Sequence, residues 1–187
     1  MKIFSGYVGA GKMLASYWHS YGGLKALLLS PYVHFSGIFL ILNQEWRTGL
    51  DWINDSLSVI PSILGFSLGA FAVFLAFADQ KFVALLTSGA GAKTSKTSAY
   101  LKISSLFVHF MVVQVLALLF AVALRAQDAA LLLAGKSTFL LVVSGMGFFL
   151  FIYSILTAAA TSLSLMRLAV LYNKFRTVQH DEPNESS

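Results

Sequence analysis

The stretch SLSVIPSILGFSLGAFAVFLAFA, residues 56–78, carries no charged side chain and lies between Asp55 and Asp79. A helix rises about 1.5 Å per residue, so a run of this length crosses the roughly 30 Å of a bilayer's hydrocarbon. Gly65, Gly69, Ala72 and Ala76 are spaced by four, three and four and therefore share one helical face. In lipid, such a stripe of small residues lets a second backbone approach closely.

Three more apolar runs flank this one. The first is uncharged from Ala26 to Gln44, another runs from Ile103 to Leu124, and the last runs from Ser137 to Met166. Spans are expected at 26–44, 56–78, 103–124 and 137–166. The runs are continuous rather than alternating, which indicates helices and not the strands of a barrel. The last exceeds what a bilayer requires and is expected to tilt or to continue as helix beyond it. Pro31 and Pro61 are each expected in the first turn of a span, where a missing N–H costs little. Neither is expected to kink its helix.

The composition agrees. Of 187 residues, 57% are apolar and 11% charged, against about 45–50% and about 25% in soluble domains. Disorder is excluded, because it requires low hydrophobicity. A soluble globule would lack polar residues to coat it. The net charge of +5 arises from scarce acids and scattered bases, so no nucleic-acid partner is expected. Without cysteine, thiol and iron–sulfur chemistry is excluded.

The fold class expected is therefore all-α: a polytopic membrane protein, a four-helix transmembrane bundle. The connection after the first span holds Arg47 against Glu45, Asp51 and Asp55, while the next holds Lys81, Lys93, Lys96 and Lys102. Positive charge favours the cytoplasmic side, which predicts both termini inside (N-in/C-in), in a bacterial inner membrane. Three regions follow: an interfacial arm (1–25), the transmembrane domain (26–166) and a cytoplasmic extension with a disordered tail (167–187).

In the arm, Tyr7, Tyr17, Trp18 and Tyr21 stand among Lys2, Lys12 and Lys25. Rings and lysines in this mixture favour the headgroup level. Gly6, Gly9 and Gly11 argue against one continuous helix there. Trp18, Trp46, Trp52 and Tyr172 are expected interfacial anchors. Residues 88–98 read as a flexible basic linker, and 128–135 as a short outer helix or an extension of the third span. Beyond the last span, Leu165, Leu168, Tyr172 and Phe175 share a helical face. That face is expected to run about two turns past the membrane and to meet lipid, Phe82 and Leu86, or a neighbouring subunit.

Few groups could carry chemistry. Residues 6–13 (GYVGAGKM) approach the phosphate-loop pattern, but Met13 replaces the hydroxyl that would hold Mg²⁺ and no sheet precedes it. The polar candidates inside the spans are His34, His109 and Gln114. Intramembrane ionisable groups are functional hypotheses by default. His34 and His109 are expected at similar depth, where they could share a proton. Gln114 is expected to join helices by hydrogen bonds. Two histidines fall short of a metal site's usual ligands, and no carboxylate lies within a span. No catalytic residue, metal or cofactor is expected.

Gly65, Gly69, Ala72, Ala76 and Gly145 are the expected helix-packing positions, with the second and fourth spans as the close pair. The function expected is non-enzymatic association within the lipid bilayer. The protein would act as a homo-oligomer or attach to a membrane or cytoplasmic partner, and a sharper version is a pore-forming or membrane-perturbing effector, as in bacterial defence. The alternative is a small proton-coupled carrier using His34 and His109.

Overall fold

The computed structural model describes residues 2–48, 51–76, 80–88, 98–126 and 138–181. All regular structure among them is helical: α1 (Lys2–Tyr21), α2 (Gly23–Leu28), α3 (Pro31–Leu42), α4 (Glu45–Thr48), α5 (Asp51–Ala76), α6 (Gln80–Ser88), α7 (Ala99–Arg125) and α8 (Thr138–Asp181). Three of these, α5, α7 and α8, are long and apolar enough to cross a membrane. They pack on one another, and α3 lies along α8. Residues 89–97 of the expected basic linker (88–98) and the stretch 128–135 lie outside the described residues.

The expected first span is divided. Proline drives the residue before it out of the helical region, and Ser30, ahead of Pro31, is extended at φ −70° and ψ 125°. The run therefore breaks into α2 and α3 at Leu29–Ser30. Pro31 does stand in a first turn, but that turn opens a helix of 12 residues, about 18 Å long and too short to cross alone. Pro61 departs from expectation differently. Because α5 starts at Asp51, Pro61 lies in the helix interior, where Leu57 receives no N–H from it. The helix nonetheless continues to Ala76.

The arm also differs. α1 is one uninterrupted helix of 20 residues. At Gly6, Gly9 and Gly11 a Cβ would meet nothing within 4 Å, so these glycines fill no close contact. Glycine weakens a helix by only about 1 kcal/mol relative to Ala, too little to interrupt it. The phosphate-loop resemblance ends here, since residues 6–13 are helical rather than a loop. The chain turns at Gly22 and Gly23, with φ of 107° and 65°. Those left-handed values favour glycine, and a Cβ on Gly22 would also stand 2.9 Å from that of Ala26.

At the opposite end, α8 continues past Met166, where the expected span ends, to Asp181, about four turns rather than two. It runs unbroken for 44 residues, about 66 Å, and includes Gln179–Asp181 of the expected disordered tail. Of the three sequence alternatives for its apolar face, the structure shows the contact with Phe82. The Phe82 ring lies 5.2 Å from Tyr172 and 5.5 Å from Phe175. Tyr172, expected as an interfacial anchor, is thus paired with α6.

The core is layered. At the end where α5 begins, Trp52, Ile53, Ile60, Ala117, Ala121, Leu124, Phe148 and Phe151 form one buried cluster. Trp52 is the clearest correction to the expected anchors: its side chain is 4% exposed. A Cβ on Gly147 of α8 would lie 2.7 Å from the Trp52 ring, and one on Gly145 would lie 3.2 Å from Trp46. Glycine notches in α8 therefore receive the two indoles. Trp46 is half-buried there, and its ring N–H donates to the Leu40 carbonyl at 2.9 Å.

Candidate functional site

Midway along the bundle a polar contact joins two long helices. Gln114 of α7 is fully buried, and its Nε2 donates to Ser67 Oγ of α5 at 3.0 Å. Its Oε1 finds no partner among the described residues. Gln114 therefore joins helices within the chain.

Further along α7 lies the richest polar cluster. His109 is 3% exposed. Its Nδ1 is 2.9 Å from the Tyr17 hydroxyl of α1, and its Nε2 is 2.9 Å from the Tyr153 hydroxyl of α8. A neutral imidazole has one N–H and one bare nitrogen. It donates to one tyrosine oxygen and accepts from the other hydroxyl, so both ring nitrogens are satisfied. The Tyr21 ring stacks on the imidazole with centroids 4.0 Å apart. Tyr17 and Tyr21 are one helical turn apart, which is why one face of α1 delivers both rings to α7.

Burial raises the hydroxyl of Tyr17 above the ordinary tyrosine value, and neighbouring Tyr21 pushes the same way. Burial likewise raises Tyr21. Both stay neutral and able to donate and accept. The cluster acts as a clasp: α1 is held to the bundle through its last turn. From Gly6 to Ser16 every residue of α1 is exposed.

His34 does not join this cluster. It is exposed on the first turn of α3, and the partners of His109 are tyrosines. The expected histidine pair is not formed, because the break at Ser30 and Pro31 resets the rotation of everything after it. Tyr153 is the member of the clasp that sequence reasoning passed over. Its signal was a hydroxyl inside an otherwise apolar run. Trp18 lies beside the clasp, partly exposed, with its ring 6.2 Å from Tyr21.

The stripe on α5 is oriented unexpectedly. Gly65, Gly69, Ala72 and Ala76 are all exposed, and a Cβ on either glycine would meet nothing within 4 Å. This stripe does not meet α8. The buried face of α5 is instead made by Ile60, Ser67, Ala70 and Phe74. The stripe also extends beyond the glycines. Ser58 and Ser62, spaced by four, continue it on the same exposed face. From Ser58 to Ala76 no residue on that line is larger than serine. Gly145, the remaining expected packing position, is buried against Trp46.

Among the described residues, no group of three or more histidine, cysteine or carboxylate side chains is placed to hold a metal ion. In comparisons with known proteins, no family model, curated protein or solved structure matches this chain.

Proposed function

We propose that this is a non-enzymatic integral membrane protein that works by helix association, assembling with further copies of itself through the outward face of α5. The observation that carries the reading is the uncovered line Ser58, Ser62, Gly65, Gly69, Ala72 and Ala76. Lipid chains gain little from a flat, small-residue surface, whereas a second helix gains close van der Waals contact and hydroxyl hydrogen bonds. In this reading α2 and α3 together, residues 23–42, complete a fourth crossing of about 30 Å. The positive-inside bias then puts both termini in the cytoplasm of a bacterial inner membrane.

A carrier would need His34 and His109 to exchange a proton. With His34 exposed and both nitrogens of His109 occupied by tyrosines, association is the better-supported reading. One observation favours a pore as its sharper form. Asp51, Asn54 and Asp55 are exposed near the start of the same α5 face, so copies meeting along that face would gather acidic side chains at one end of the assembly, as at the mouth of a cation path.

Chemical cross-linking of the full chain in mild detergent tests the main reading. A ladder of subunits is expected, and a clean monomer at all protein concentrations would end it. Dye release from liposomes tests the pore separately, and intact vesicles alongside a cross-linked ladder would remove the pore while leaving association standing.

A further inference from the structure

The elbow between α1 and α2 roofs a cavity of about 450 Å³ against α3, α7 and α8. Its chemistry is graded. Lys102 supplies a cation, His19 a ring nitrogen for hydrogen bonding, Ser20, Ser30 and Tyr32 supply hydroxyls, and none of the described lining residues is acidic. Lys102 forms no ion pair among the described residues and is exposed. The N-terminus of α3 opens here too, and the Ser30 side chain does not cap it. The positive end of that helix dipole therefore adds to the field of the lysine.

Lys102, Leu106 and Phe110 line the cavity from successive turns of α7. They carry it from a charged level about 12 Å into the apolar span. A cation with an apolar wall leading inward matches an amphiphile: an anion at the rim and hydrocarbon or glycerol beyond it. Basic pockets between membrane helices bind anionic lipid headgroups for this reason.

We propose that this cavity binds a phosphate-bearing anion, with Lys102 as its charged contact, His19 as a hydrogen-bonding contact, and Leu106 and Phe110 as the wall for whatever the phosphate carries. A lipid headgroup and a soluble phosphate share this recognition chemistry. The proposal is independent of how α5 associates.

The test is native mass spectrometry of the full chain released from nanodiscs. Discs of phosphatidylcholine with phosphatidylglycerol are compared with discs of phosphatidylcholine alone, each with and without inorganic phosphate. Retention of phosphatidylglycerol over phosphatidylcholine is expected, and Lys102→Ala should reduce it about fivefold, the scale of one basic contact near a membrane surface. Lys102→Arg should retain it, and Arg125→Ala, at the opposite end of α7, should leave it unchanged. Inorganic phosphate that binds directly and displaces the lipid would assign the site to the soluble anion. Because Lys102→Ala could act by disturbing the fold, His19→Ala is measured beside it as a second route to the same loss. Equal retention of the two lipids with no phosphate binding, or retention unaltered in the Lys102→Ala/His19→Ala double variant, would overturn the proposal.

Discussion

Two glycine pairs in this chain lie within long apolar helices and behave oppositely. Gly145 and Gly147 of α8 are notches that Trp46 and Trp52 fill, so a Cβ there would strike an aromatic ring. Gly65 and Gly69 of α5 face outward, and a Cβ there meets open space. The first pair belongs to the fold of one chain. The second packs against nothing among the described residues, which is why it carries the association reading. A small residue in a membrane helix thus has no meaning until its facing partner is known.

The largest expected effect comes from filling the outward pair. Gly65→Leu with Gly69→Leu should leave thermal unfolding in detergent nearly unchanged and weaken self-association at least about tenfold, or about 1.4 kcal/mol. Sedimentation or cross-linking as a function of protein concentration reads this directly. Unchanged assembly would erase the contrast between the two pairs.

Filling the inward pair should do the reverse. Gly147→Leu overpacks the Trp52 layer and is expected to cost about 1–3 kcal/mol of stability, read as a lower unfolding temperature. A variant as stable as the parent would mean that the α8 notch is not closed by Trp52.

The clasp offers a finer test of how α1 is held. Tyr17→Phe removes one bond to His109 and should raise hydrogen exchange over the last turns of α1 while leaving α5 and α7 protected. Its pH dependence has a definite sign. Burial raises Tyr17 and Tyr21 above the ordinary value of 10.0, so deprotonation is easier when α1 is released. The attachment is fully present below that value and is lost as pH rises through the raised folded values. Exchange over residues 17–21 should therefore be insensitive to clasp release at neutral pH and should accelerate beyond its intrinsic rise only in strong alkali. A loss of protection below pH 9 would contradict a clasp made by neutral tyrosines.

Gln114→Leu should have the smallest effect. It removes the bond to Ser67 but also removes the unpartnered Oε1. Interhelical hydrogen bonds in membranes average about 0.6 kcal/mol, and the two changes oppose each other. A stability change within about 1 kcal/mol of zero is expected from chemical unfolding.

The amino-acid sequence by itself determined that this chain is helical and marked four apolar runs, of which the structure forms three as helices long and apolar enough to span a membrane. Hydrocarbon thickness sets a length, and an uncharged run either meets it or does not. It also marked Gln114 and His109 as polar groups needing partners. It could not say which partners, because one helix's rotation relative to another follows from how whole faces interlock. Only the tertiary structure turned Trp52 into the core, paired His109 with Tyr17 and Tyr153 rather than His34, and left the Gly65–Gly69 face uncovered. The physical reason is the range of the forces involved. Hydropathy is summed along a helix, whereas packing is decided across the gap between helices, where a rotation of one residue exchanges a buried face for an exposed one.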